Sequence, residues 1–153
     1  MIPPLRPLVF PQPVRGIVIP AEIRHAIESH VAAVHPKEAG GFLACTRQGD
    51  RLHAKRHVSL PNDAPMPRRR FSAVVDDRVP PPPRVFYHSH TSARSPSGHT
   101  RTDERSIPEP FSIVVFAPHG PILSYRAFKR RLFDWRELLI ESKTGGGRFP
   151  RQL

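Results

Sequence analysis

Proline decides first what this chain can fold into: it gives no backbone N–H to a ladder, and its ring breaks a helix interior. The chain holds 20 prolines in 153 residues, and they are clustered. Five fall in the first 14 residues, MIPPLRPLVFPQPV, three more between Pro61 and Pro67, and four form the run Pro80 to Pro83. Regular structure is therefore expected between these clusters, which mark the edges of one domain. A chain this long can bury roughly two-thirds of its unfolded surface in a single core but is too short for two ordinary domains. The reading is a proline-rich arm over 1–14, a domain over 15–142 and a flexible tail over 143–153 that contains Gly145-Gly146-Gly147.

Within the domain, Arg15 to Ile19 reads as a short strand. Pro20 then suits a first helical position, and Ile23, Ala26, Ile27, Val31 and Val34 recur at helical spacing until Pro36. Gly40 to Thr46 and Leu52 to Leu60 read as strands about the turn Gln48-Gly49-Asp50, and Phe71 to Val75 as another. Arg84 to Tyr87 is a strand that delivers His88-Ser89-His90. A polar loop spans Thr91 to Thr102, and a short helix begins near Asp103. Phe111 to Phe116 and Ile122 to Phe128 flank a hairpin turn, Ala117 to Pro121. Leu132, Trp135, Leu138, Leu139 and Ile140 predict a final amphipathic helix.

Charge and cysteine content exclude several classes. No apolar run approaches the ~20 residues of a membrane span, and the first residues lack the pattern of a signal peptide, so a cytoplasmic protein with no membrane partner is expected. Cys45 is the only cysteine, which rules out an internal disulfide and a cysteine-based zinc knuckle and leaves His, Asp and Glu to hold any metal. It reads as a small core residue. The formal charge of +11 comes mostly from arginine; it reflects either GC-rich codons or an acidic partner. Arg68-Arg69-Arg70 and Lys129-Arg130-Arg131 are not interleaved with stacking aromatics, so nucleic acid is not expected as the primary partner.

His88 and His90 are two apart, and on a strand they point to one face. Asp103, thirteen residues after His90, is a third hard ligand within reach of a folded-back loop. Two imidazoles and a carboxylate leave a fourth position for water, the donor set of a hydrolytic zinc centre, with Glu38 available as base. The plain alternative is a surface histidine pair and a helix-capping aspartate.

The arrangement Pro36-Lys37-Glu38-Ala39-Gly40-Gly41-Phe42-Leu43, then Phe86-Tyr87-His88-Ser89-His90-Thr91, then Thr100-Arg101-Thr102-Asp103 resembles the JAMM/MPN family of zinc metalloproteases, in its bacterial single-domain branch. Leu60-Pro61-Asn62-Asp63-Ala64 and Arg70-Phe71 fit the same pattern, and the likeness runs from about Arg15 to Phe128. It implies an α/β fold of cytidine-deaminase-like type, a mixed curved sheet flanked by helices. It also implies Zn²⁺ on His88, His90 and Asp103, with Glu38 as general base and Thr100 in the place of the family's oxyanion-stabilising serine. The implied activity is an isopeptidase or peptidase acting after the C-terminal glycine of a ubiquitin-like or sulfur-carrier protein, the alternative being a catalytically weak or inactive scaffold that binds a ubiquitin-like partner. The departures are Thr for Ser at 100, two extra residues after His90, Ser97 as a competing hydroxyl, an additional imidazole at His99 and a shortened segment at Asp76 to Val79. Oligomeric state is left open.

Overall fold

In a computed structural model, described here for residues 12–118 and 123–143, nine elements follow one another. They are β1 (Gly16–Val18), α1 (Ala21–Val34), β2 (Gly40–Gln48), β3 (Arg51–Leu60), β4 (Arg84–His90), α2 (Arg101–Ser106), β5 (Phe111–Phe116), β6 (Ser124–Arg130) and β7 (Trp135–Glu141). The strands close into a barrel in the order β1-β3-β2-β4-β5-β6-β7. Short β1 completes the ring by pairing in parallel with β3 on one side and β7 on the other.

This corrects the expected fold. The chain is a closed seven-stranded barrel with two helices among the described residues, not a mixed open sheet flanked by helices. The physical reason lies in the last apolar stretch. The predicted final helix is instead β7, in which Leu138 and Ile140 are buried two residues apart, the period of a strand. Its first four residues pair with β6 and its last three with β1, so tertiary pairing overrides the three- and four-residue spacing of Trp135, Leu138 and Leu139. Closure also removes the sheet edges that an open arrangement would have to protect.

The other elements lie close to their expected places, with two exceptions. Segment 71–75 runs outside any ladder, and Asp76 to Val79 forms only a turn in which the Val79 N–H donates to the Asp76 carbonyl at 3.1 Å. Of the proposed N-terminal arm only 12–14 is described, and there Val14 is buried in the core. The rest of the arm, the tail beyond 143 and most of the β5–β6 turn lie outside the described residues.

α1 buries Ile23, Ile27 and Val31 in the same apolar cluster as Leu43 of β2, Val85 and Tyr87 of β4, and Ile113 and Val115 of β5. One face of β4 is thereby committed to the core. Its other face carries Phe86, His88 and His90, because side chains alternate along a strand. The β2–β3 hairpin turns through Gly49 at φ +59°, a left-handed conformation that favours glycine.

Candidate metal centre

The antiparallel β2–β4 register pairs Gly40 with His88, so continuing it by two residues sets Glu38 opposite His90. The backbone keeps that alignment past the end of β2. The Ser89 N–H donates to the Ala39 carbonyl at 2.8 Å, and the Ala39 N–H donates to Ser89 Oγ at 2.8 Å. Ser89 is thus the rivet between the Glu38 segment and the two histidines that flank it. At Gly40 a Cβ would stand 2.4 Å from the Phe71 ring, which packs over this end of the sheet, so any larger residue there would displace that ring.

Asp103 enters from α2, on the crossover between parallel β4 and β5. Thr100 is the N-cap: its Oγ1 accepts from the Asp103 N–H at 3.0 Å, while Asp103 Oδ2 accepts from the Thr100 N–H at 2.9 Å. This capping box fixes the carboxylate from behind. Asp103 is therefore not the cap itself, as the plain alternative had it, but the third residue of the helix, with its oxygens turned to the histidines.

His88 Nε2 and His90 Nε2 are 3.1 Å apart, His88 Nε2 lies 3.3 Å from Asp103 Oδ1, and His90 Nε2 lies 3.1 Å from Asp103 Oδ2. Ligand atoms about 2.0–2.1 Å from a tetrahedral zinc ion stand about 3.3 Å from one another; the two imidazole nitrogens are at that spacing, each faces a different Asp103 oxygen at a similar distance, and one ligand atom from each of the three residues lies within 4.8 Å of the others. The His90 ring is further oriented by a 2.9 Å hydrogen bond between Nδ1 and the Pro96 carbonyl, which places the proton on Nδ1 and leaves the Nε2 lone pair for a metal. Phe86 stacks on His88 with ring centroids 5.6 Å apart. The donor set and its dimensions fit a divalent zinc ion.

The electrostatics are those of a buried, mixed-charge site. Burial pushes Glu38 up to about 7, with Asp103 adding to the rise and His90 and Arg70 opposing it. Burial also lowers His88. Burial disfavours the Asp103 anion too, but hydrogen bonds from both histidines outweigh it and hold the carboxyl far below its usual range. For His90, burial is outweighed by hydrogen bonds to Asp103 and Pro96, and the imidazole is raised. Burial raises Cys45 to about 12, as suits a core thiol and not a nucleophile.

Glu38, His88, His90, Thr100 and Asp103 all line one cavity of about 370 Å³. Phe42, Phe71 and Phe86 add apolar surface, and Arg69 and Arg70 add positive charge. Ser97, the competing hydroxyl, instead accepts from Arg126 at 3.3 Å. His99 is packed between Phe128 and Trp135, with centroids 4.2 and 4.7 Å away, and its Nε2 is 3.1 Å from Ser112 Oγ.

Sequence reasoning assigned no role in the site to Asn62. Its Nδ2 lies within donating distance of the carbonyls of Glu38, Pro67 and Arg70, at 2.9, 3.1 and 2.8 Å, and its Oδ1 accepts from the Ala64 and Ser72 N–H groups at 3.0 and 3.3 Å. Pro-Asn-Asp signals a turn, but its partners are fixed only by the fold.

Fold and site together define a small closed β-barrel that carries a buried two-histidine, one-carboxylate cluster with a neighbouring glutamate. No protein-family model and no curated protein matches the chain. Among solved structures, it is similar to protein DSY2949 from Desulfitobacterium hafniense, at 16% identity and TM-score 0.64, over 83% of this chain and 94% of that one. It is also similar to a protein from Salinibacter ruber, at 15% identity and TM-score 0.55, over 88% of this chain and 99% of that one. At these identities the likeness concerns the fold alone. The expected JAMM/MPN membership is corrected accordingly: the closed barrel with two described helices is not that fold, and no family model supports the assignment.

Proposed function

We propose that the chain is a zinc-dependent hydrolase of amide bonds, peptide or isopeptide, with His88, His90 and Asp103 as metal ligands and Glu38 as general base. The observation that carries this reading is the placing of a buried carboxyl, raised to about 7, in the same cavity as three ligands spaced for one ion. Zinc held there supplies Lewis acidity that makes water nucleophilic near neutral pH. Glu38 takes the proton of the attacking water and returns it to the departing amine nitrogen. Thr100 Oγ1 accepts the Asp103 N–H, which leaves its own proton to donate to the oxyanion.

The substrate we assign is an extended, glycine-ended tail of a ubiquitin-like or sulfur-carrier protein. Support comes from the cavity's wall: Phe71, Ser72, Ala73 and Val75 line it from an extended segment outside any ladder. Such a segment can pair with a substrate backbone, and glycine suits a narrow passage. The engagement of the Thr100 hydroxyl in a cap favours, as second reading, a scaffold that binds the same tail without cleaving it. The test is to incubate zinc-loaded wild type and Glu38→Gln with fusions of candidate carrier proteins and read product masses. Cleavage after glycine that disappears in Glu38→Gln supports the enzyme. Bound zinc without Glu38-dependent turnover overturns it in favour of the scaffold.

A further inference from the structure

The β6–β7 hairpin ends in a turn whose chemistry is unusual. Arg130 and Trp135 are the last ladder pair, and beyond them the Arg131 N–H donates to the Asp134 carbonyl at 2.7 Å. The Arg131 guanidinium also clasps the Asp134 carboxylate at 2.7 and 2.9 Å. Two residues remain to turn the chain, Leu132 and Phe133, and they are 87% and 94% exposed. Both take ordinary negative φ angles, which polar residues adopt as readily, and neither side chain is buried, so their apolar character contributes nothing to the turn. A single exposed apolar residue is ordinary; two large ones side by side at the apex of a clasped hairpin call for an occupant.

The flanks say which. Lys129, Arg130, Arg131 and Arg136 stand against Asp134 alone between 129 and 136. The Arg130 guanidinium lies 4.9 Å from the centroid of Trp135, an indole just below the apex. Apolar tip, amphipathic indole and cations follow one another in the order that a lipid interface presents acyl chains, carbonyl region and anionic headgroups. A projecting apex also suits a fluid acceptor, whereas a protein would need a preformed cavity rimmed with acids.

We propose that Leu132 and Phe133 insert into the surface of an anionic lipid bilayer, with the neighbouring Lys and Arg residues held over its headgroups. Such peripheral contact needs no spanning segment, and none of the described helices is long and apolar enough to span. The stem also touches the metal centre's surroundings. Trp135 Nε1 donates to the Glu104 carbonyl of α2 at 3.2 Å, and Arg130 Nη1 donates to the Pro108 carbonyl at 3.4 Å. Docking therefore brings the α2 side of the cavity towards the membrane. The proposal stands independently of the hydrolase reading.

The test is sedimentation of the full chain with phosphatidylcholine vesicles that contain or lack about a third phosphatidylserine. Trp135, the only tryptophan, serves as a second readout through its fluorescence. Binding to the anionic vesicles, a blue shift of Trp135 and weakening by salt are expected. Leu132→Asn combined with Phe133→Ser puts two polar turn-compatible residues at these negative-φ positions, so this variant keeps its fold, as its circular dichroism should show, while binding falls at least about tenfold. Absence of wild-type binding overturns the proposal, as does a variant that binds like wild type. A wild-type dimer that the same variant turns into a monomer also overturns it, by assigning the tip to a second copy of the chain.

Discussion

The Asn62 side-chain amide donates to the backbone carbonyl of Glu38 at 2.9 Å, although the two residues are separated by the whole β2–β3 hairpin. The same nitrogen lies near the Pro67 and Arg70 carbonyls, and its two hydrogens are shared among the three. One side chain thus ties Glu38 to the arginine-rich wall of the cavity. Asn62→Ala removes these bonds and those to the Ala64 and Ser72 amides. We expect zinc content to be retained, hydrolysis to fall about ten- to a hundredfold and stability to drop by about 1–3 kcal/mol. Metal analysis, steady-state kinetics and urea denaturation of the same preparation check the three parts.

Burial of Glu38 has a consequence for stability with a definite sign. Its folded value, about 7, lies above its ordinary 4.5. Between these values the folded state binds the proton that the unfolded state has lost, so stability falls as pH rises through this window and levels off above it. Glu38→Gln removes the titration. In chelator-treated protein this variant should exceed wild type by on the order of 2 kcal/mol at pH 8 and show little advantage at pH 4. Paired urea titrations at the two pH values measure this, and a gain of equal size at both would sink the explanation.

Much of the site could be read before the fold because it rests on parity. Two histidines two apart on a strand share a face whatever sheet the strand joins, and Glu38 precedes the strand that pairs with theirs. The closure of the sheet was not legible. Leu138, Leu139 and Ile140 satisfy helical and alternating patterns equally over so short a run, and only pairing with β1 and β6 decides between them. Asn62 and His99 were illegible for another reason. Their roles consist of contacts with distant residues, Glu38 in one case and Ser112, Phe128 and Trp135 in the other.

His99 is the buckle of the loop that carries Asp103. Burial lowers its imidazole from 6.5 to about 4, so the ring is neutral at ordinary pH. The unfolded state protonates first as pH falls, and the stability that the neutral ring contributes is lost between these two values. His99→Phe keeps a ring between Phe128 and Trp135 but cannot titrate. Its stability should therefore change less than wild type between about pH 6.5 and 4. His99→Ala should loosen the loop and weaken zinc binding about tenfold. Thermal melts across the pH range and competition with a zinc chelator separate the two effects.

Thr100 caps α2 through its hydroxyl, and the proposed mechanism gives the same hydroxyl a second task at the oxyanion, so zinc content and rate must be read together in its variants. Thr100→Ser keeps both the cap on α2 and the donor to the cavity, so zinc binding and rate should stay within about threefold of wild type. Thr100→Val loses both: about 1 kcal/mol of cap energy and, if the hydroxyl stabilises the oxyanion, about a hundredfold in kcat. Equal rates for Thr100→Val and wild type, with zinc bound in each, would leave the hydroxyl a purely structural part.

The barrel's closure predicts where the fold is most easily opened. β1 supplies only three residues to each neighbour, so the seam depends on what spans it. Arg51 of β3 reaches across to Glu141 of β7, with Nη2 and Nε at 3.0 and 3.2 Å from the same carboxylate oxygen, and Glu141 is buried. The Ile19 N–H donates to the Glu141 carbonyl at 2.7 Å, so backbone and side chain of one residue hold both edges of β1. Arg51→Met leaves a buried carboxylate without its partner and should cost about 3 kcal/mol, whereas pairing it with Glu141→Leu should recover most of that loss by removing the stranded charge. Asp50 also lies 3.0 Å from Arg51, but it is more exposed, and water compensates it when the arginine is lost. Urea unfolding of the single and double variants measures the coupling, and hydrogen exchange should show β1 and β7 opening first in Arg51→Met. If the double variant is no more stable than Arg51→Met, the pair is not what closes the seam, and closure must rest on the β1 ladders and on Ile17 beneath them.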